Sequence, residues 1–293
     1  MSKVEKARAE MSGDIYRFFV EGMEPDRAEA LIERFYRPIF DYRWNREEDY
    51  FGHVLLDRGR VAGFVGAFFV TRTVSGIQRR FCNLTTWKVR EENRSESILL
   101  IMPFLRMKEY TVTGRTAARD VFAIHQKLGF HYLDDRVIIV PTFAGCRVDT
   151  AVLALRACND LSVLLSEYEL RLVNDHAPYK CHPLVLSKGG RSLLLIVTLA
   201  KKCGISVACL QHISDIGLLL EMLPLVKYEV SRRLKAPFLW IEKRLLRGAV
   251  IPFSMEYRSP FVHLYKSSEL EPGDIDNLYT ELAVYNTLEN RFY

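Results

Sequence analysis

The sequence predicts a mixed α/β protein made of two units with a similar plan, and three observations carry that reading. Two separate stretches each read as three short apolar strands joined by tight turns. Each meander is followed by a helical pattern. In the first unit a glycine that suits a helix end, Gly129, precedes a closing strand that runs to Pro141. The predicted division is residues 13–141 and residues 160–293, each an α+β unit with a mixed sheet.

Taken in order, residues 15–20 read as a short apolar strand. Pro25 and Asp26 open an amphipathic helix with Leu31, Ile32, Phe35 and Tyr36 on one face, which Pro38 should end or kink near Arg37. Residues 53–56 and 61–70 form a hairpin about Asp57-Arg58-Gly59-Arg60, and residues 80–89 add a third strand after the polar stretch 71–78. Polar residues 90–97 lead into apolar residues 98–105, an extended stretch over 110–113 and a helix over about 116–128. Lys127 in its last turn suits the helix dipole, and Gly129 suits a left-handed cap. Residues 130–140 continue as strand, with a break at 133–136.

The second half opens with a helix over 160–173 and then repeats the order: strands at 183–187, 192–198 and 205–210, turns at 188–191 and 201–204, and a long helix over 216–234. Further strands are expected at 238–244 and 262–265, and a terminal helix from near Asp274. The parallel order suggests an internal duplication, without a residue-level repeat.

At 49% apolar and 26% charged residues the chain has the composition of a protein that buries a core. No apolar run approaches the ~18 residues of a membrane helix, and the opening MSKVEKARAEMSGD lacks the apolar stretch of a secretory signal, so a cytoplasmic protein without a membrane partner is expected. The six cysteines form no C-x-x-C pair and read as small buried apolar residues in a reducing compartment. Cys203, Cys209 and His212 match no zinc spacing, so no metal site is expected. The net charge of +5 is shared between the two halves, with acidic residues interleaved throughout. That distribution argues against a nucleic-acid partner and suits solubility or a phosphate-bearing cofactor.

Two short segments carry chemistry. The first ends HQKLGF, residues 125–130; the second sets Val89 five residues before Arg94, with Ser97 and Leu99 beyond. Together with the meander, polar loop and helix around them, they resemble the GNAT acyltransferases. That family closes its cofactor domain with a helix reading roughly A-x-x-x-Y-x-K-x-G-F and binds pyrophosphate at V-x-x-x-x-R/Q-x-x-G-x-G/A after the fourth strand. Lys127, Leu128, Gly129 and Phe130 fit the first pattern, and Val89 and Arg94 fit the second. Ser97 and Leu99 stand at the two glycine positions. The resemblance covers residues 13–141 in architecture, and its motif support is confined to these two segments.

The resemblance implies two GNAT-like domains in tandem, the second without a recognisable cofactor loop and shaping the acceptor site. It implies acetyl-CoA or another acyl-CoA as co-substrate, held by Val89, Arg94, Ser95, Ser97, Ile98 and Leu99, with transfer to an amine of a small-molecule or amino-acid-like acceptor. A backbone N–H from strand residues 83–89 would bind the thioester carbonyl. His125 stands where the family has the tyrosine that protonates departing coenzyme A, and an imidazole can do the same near neutral pH.

Each of these residues also has a reading that needs no ligand. Asn93 and Glu96 have the spacing of a capping box, and a first-turn Glu96 would compete for the positive helix end. His125 lies on the apolar stripe of Val121 and Leu128 as a core histidine would. Glu47, Glu48 and Asp49, the acids nearest the hairpin, read as a solvated run, so no general base is identified. His212 with Asp215 would polarise an acceptor, or Asp215 would cap a helix. Two other functions stay open: an aminoacyl-tRNA-dependent transferase, and a non-catalytic binding or regulatory protein.

Overall fold

The structure is a computed structural model and describes residues 2–44, 46–117, 122–142, 161–202 and 204–285. It divides into two compact units. The first comprises Met1–Leu133 with Phe261–Leu270 and Tyr279–Glu281; the second comprises Asp134–Pro260 with Glu271–Leu278 and Leu282–Tyr293. The units therefore differ from a division at 141/160, because each takes in returning pieces of the C-terminal region.

The first unit opens with β1 (Lys3–Lys6) and a helix, Ser12–Val20. The latter corrects the strand expected at 15–20: Ile15, Phe18 and Phe19 are the buried residues, and their i, i+3, i+4 spacing marks one helical face. The helix predicted from Pro25 is present as Pro25–Leu31, a π-helical turn Ile32–Tyr36 and Arg37–Asp41. Pro38 does not end it. The wider turn just ahead accommodates the ring and the missing N–H, so the chain stays helical through Asp41.

The meander follows as β2 (Gly52–Asp57), β3 (Arg60–Val74) and β4 (Ile77–Val89). Arg58 and Gly59, and then Ser75 and Gly76, carry positive φ in the two-residue turns, as the twist of a tight hairpin requires. The helix Ser97–Leu105 buries Leu100, Ile101 and Phe104. Next come β5 (Tyr110–Ala117), longer than expected at the expense of the predicted helix, and the helix Phe122–Lys127. Gly129, at φ +83°, ends that helix as predicted. β6 (His131–Pro141) is one strand without the expected break. In the first unit β1, β2, β3 and β4 are antiparallel neighbours and β5 lies parallel to β4. The last strand of the chain, β11 (Met255–Lys266), pairs antiparallel with β5 through Val262, Leu264, Tyr265 and Lys266.

The second unit repeats the topology. β7 (Cys181–Lys188), β8 (Arg191–Lys202) and β9 (Ile205–Ile213) form an antiparallel meander. The long helix expected next is two, Ile216–Glu221 and Leu223–Leu234, with Pro224 opening the second. β10 (Phe238–Glu242) then lies parallel to β9 and antiparallel to β6. Each unit is thus a three-strand meander, a helix, a parallel strand, and an antiparallel strand drawn from a distant part of the sequence.

The predicted helix over 160–173 is found as Glu167–His176, capped by Ser166 and Glu169; residue 160 lies outside the described residues. The C-terminal helix begins at Glu281 rather than near Asp274, which sits in a single 3₁₀ turn, Pro272–Asp274. Among the described residues no helix is long and apolar enough to cross a membrane, and no cluster of three potential metal ligands occurs. Cys82 and Cys209 are buried and Cys181 is partly so; Cys146, Cys158 and Cys203 lie outside the described residues.

One buried titratable group in the first core makes stability depend on pH. The His53 ring packs against Tyr50 and Phe104, and its Nδ1 is buried without a hydrogen bond. Burial, helped by the charge of Lys6, pushes its pKa down to about 4. The unfolded chain binds the proton more tightly than the native one, so stability falls as pH drops from about 6.5 to about 4, by up to ~3 kcal/mol. His53→Phe should remove most of that acid-side loss in urea unfolding followed between pH 7 and pH 4; an unchanged acid limb would mean that other groups carry it.

Candidate active site

The register of β4 against β5 builds the site. The two strands pair from Arg80 and Tyr110 to Leu84 and Gly114 and no further. Past that point β4 runs on to Val89 along β3, while β5 runs on to Ala117 along β11. A bulge marks the parting: Gly66 faces Thr85 and Val65 faces Trp87, which leaves Thr86, at φ +38°, outside the ladder. A bulge of this kind re-aims the backbone next to it. A cavity of about 1230 Å³ opens there, lined by β4 from Leu84 to its end at Val89, by Arg90 just beyond it, and by Gly114 and Arg115 of β5.

The pleat gives the gap two unlike faces. Leu84 and the residues paired to it, Ala67 and Gly114, face the helix Ser97–Leu105, where Leu100, Ile101, Phe130 and Leu264 form the core. Asn83 and Thr85 pair with Phe68 and Gly66 and face the helix Ser12–Val20, whose Phe19 packs edge-on against Phe64. That second face is polar at the gap. Thr113 donates to the Asn83 side chain at 2.7 Å, and Asn83 donates in turn to the carbonyl of Tyr279 at 2.9 Å. Thr85 donates to the carboxylate of Glu281 at 3.4 Å. Arg115 and Glu281 are both buried and both line the cavity.

Of the residues singled out from the sequence, Val89, Arg94, Ser97, Ile98 and His125 line this cavity, and Ser95 and Leu99 do not. Arg94 lies in the 3₁₀ turn Glu91–Glu96 that leads into the helix, and its side is exposed. The capping-box geometry is not formed. The helix starts with no side-chain cap, and Asn93 donates to Glu96 at 3.1 Å instead. Hydrogen bonds from Ser2 and then Asn93 hold the Glu96 carboxyl below its ordinary value, and Glu96 is absent from the cavity wall.

His125 is buried, with its ring edge-on to Trp87 at 5.8 Å and to Phe130 at 5.6 Å. At the mouth, Lys88 donates to the carbonyl of Phe19 at 3.0 Å, and desolvation followed by the charge of Arg90 lowers its pKa. Arg90 is held by Glu21 at 2.6 Å and donates to the Val61 carbonyl at 3.1 Å.

The acids considered as bases are occupied elsewhere and do not line the cavity. Glu47 pairs with Arg80 at 2.5 Å, Glu48 accepts from the Tyr110 hydroxyl at 3.0 Å, and Asp49 pairs with Arg8. Glu281 was not legible from the sequence, because it enters the site from about 195 residues away. The only local signal was a carboxylate in an apolar C-terminal run.

The mixed sheet, the half-paired parallel strands and the doubled plan define the fold of GNAT-type acyltransferases. A GCN5-related N-acetyltransferase from Anabaena variabilis aligns over 90% of this chain and 72% of its own, with a TM-score of 0.52 and 11% identity. A probable N-acyltransferase from Enterococcus faecalis gives the same coverage, with a TM-score of 0.53 and 11% identity. A GCN5-related N-acetyltransferase from Kribbella flavida covers 90% of this chain and 71% of its own, at 0.52 and 10%. At this identity the likeness concerns the fold, and its extent takes in both units. No protein-family model and no curated protein matches the sequence.

The second unit has the same parting of strands and fills it internally. β9 and β10 stop pairing after Leu210 and Ile241, and a bulge falls at Gln211, since Val197 faces Leu210 and Ile196 faces His212. The Gln211 carbonyl accepts from the Asn277 N–H at 3.0 Å. Asn277 donates to Glu242 at 2.8 Å and accepts from Arg244 at 2.6 Å, and Arg244 pairs with Glu242 at 2.5 Å, all buried. Asp215 caps the following helix by accepting from Leu218 N–H at 2.8 Å, and His212 pairs with Asp276 at 2.7 Å. Arg244→Met takes the cation from beside a buried carboxylate and should cost on the order of 3–5 kcal/mol in urea unfolding; a loss below ~1 kcal/mol would show that the network adds little.

Proposed function

We propose that the first unit binds an acyl-CoA in the β4/β5 gap and transfers the acyl group to an amine of a small-molecule or amino-acid-like acceptor. The observation that carries this reading is the unpaired inner edge of β4 beside a side-chain-uncapped helix start. Backbone N–H groups at a helix N-terminus favour an anionic group, here the pyrophosphate. Val89, Arg94, Ser97 and Ile98 would contact the cofactor, with Ser95 and Leu99 contributing through backbone alone. The glycine positions of the family motif become less demanding in this geometry, because the Leu99 side chain is 43% exposed and stays out of the cavity.

The gap positions the reaction. An N–H of the bulge at Thr86–Trp87 would bind the thioester carbonyl as negative charge develops on it. The amine nitrogen forms a bond to the carbonyl carbon, the C–S bond breaks with its electrons on sulfur, and His125 protonates the thiolate. Trp87 and Phe130 hold the imidazole on the helix side of the gap. The second unit, with its own gap filled, would serve the acceptor side.

Acetyl-CoA and a longer acyl-CoA at a hundred times Kd should stabilise the protein by about 2.7 kcal/mol, read as a thermal shift; no shift with either would remove the proposal. Gly114 stands at the last β4/β5 pair, and a Cβ added there meets nothing within 4 Å among the described residues. Gly114→Val should therefore fold normally and weaken acyl-CoA binding about tenfold or more, ~1.4 kcal/mol; unchanged affinity would place the acyl group elsewhere. His125→Phe should lower kcat by ~10²-fold with acyl-CoA affinity nearly unchanged, and equal turnover would take His125 out of the mechanism.

A further inference from the structure

We infer that Glu281 is the general base of the first unit, taking a proton from the acceptor amine on the face of the gap opposite His125. The inference rests on the acyl-transfer reading and supplies the base that it lacks. Glu281 is 4% exposed, lines the cavity, and accepts from Thr85, the residue just ahead of the β4 bulge.

Its placement is built rather than incidental. The tripeptide Tyr279–Glu281 belongs to the first unit, while the residues on either side of it belong to the second. Tyr279 adopts φ +59°, a conformation that a bulky residue holds only under constraint. Two contacts supply the constraint: Asn83 bonds its carbonyl at 2.9 Å, and its ring packs edge-on to Trp44 at 5.1 Å. A strained, anchored residue two positions before a buried carboxylate in a cavity wall is the pattern of a positioned functional group.

The pleat gives the chemistry its direction. Thr85 and Glu281 lie on the polar face, and Trp87, paired with Val65 of the apolar core, carries His125 on the other. A thioester in the gap therefore has a carboxylate on one side and an imidazole on the other. The acceptor ammonium gives one proton to Glu281, which passes it to solvent. The freed lone pair forms the C–N bond, and the C–S bond breaks. Sulfur takes a proton from His125, and the second proton shed by nitrogen replaces it through solvent. The sum is one amide, one thiol and one released proton.

The test uses the whole chain with acetyl-CoA and octanoyl-CoA as probes. Calorimetry on the wild type comes first: no binding of either probe sinks the acyl-transfer reading, and the assignment of Glu281, which rests on it, falls with it. With binding present, Glu281→Gln should keep acyl-CoA affinity and circular dichroism while releasing thiol from acyl-CoA with n-propylamine ~10²–10⁴-fold more slowly. Equal rates overturn the inference. Glu281→Cys, a second and smaller change, should gain the mass of one acyl group at that thiol when incubated with either probe. An unmodified thiol in a folded protein that still binds acyl-CoA shows that position 281 does not face the carbonyl, and overturns it as well.

Discussion

The parting of β4 from β5 after Leu84 and Gly114 is the constraint on which the rest of the first unit depends. A strand inside a sheet must satisfy its N–H and C=O groups, and leaving them unmade in a buried setting costs more than a made bond gains. Here the demand is met on the outer edges only: β4 is held by β3 and β5 by β11. The inner edges then face an open cavity, and the bulge at Thr86 turns the backbone toward it. A cavity bounded by backbone polar groups on one side and an apolar core on the other suits a ligand with a polar chain and an apolar end.

The two units answer the same problem in different ways. In the second, the chain brings Asn277 to the freed carbonyl of Gln211, and Glu242, Arg244 and Asn277 complete a buried network. That gap is stable because it is full. In the first, the same C-terminal stretch contributes only Tyr279–Glu281 and binds through side chains, Asn83 and Thr85, so the β4 edge beyond Thr85 is left to the cavity. A similar plan thus yields one gap filled by its own side chains and one left open as a cavity.

Much of this was legible in local patterns and little of it in the long-range ones. The meanders were plain because Arg58-Gly59 and Lys188-Gly189-Gly190 punctuate alternating apolar runs. The order of elements suggests the duplicated plan, without a residue-level repeat. The stretch IYRFFV within the helix Ser12–Val20 reads as a strand because five apolar residues in six suit either period, and only the spacing of Ile15, Phe18 and Phe19 decides. The π-turn ahead of Pro38 is a backbone accommodation that no composition rule announces. The pairing of β11 with β5 joins residues about 150 positions apart, and nothing in Val262 or Leu264 names a partner. Glu281 was hidden for the same reason: its neighbour in space, Thr85, is 196 positions away.

At residues 89–99, the segment that resembles the family's pyrophosphate motif, the consequence of the lost glycines depends on where side chains point rather than on which residues are present. Glycine helps an anion loop when a Cβ would stand between the backbone and the ligand. In a helix every Cβ leans toward the N-terminus and successive residues are turned by about 100°, so residues of the same first turn face different ways. Leu99 is directed to solvent and Leu100 into the core, while Ser97 and Ile98 meet the cavity. Glu96 is drawn off by Asn93, which keeps a carboxylate from taking the position an anion would occupy. The loss of two glycines and the gain of an acid are therefore compatible with an accessible helix start, because each new side chain has somewhere else to go.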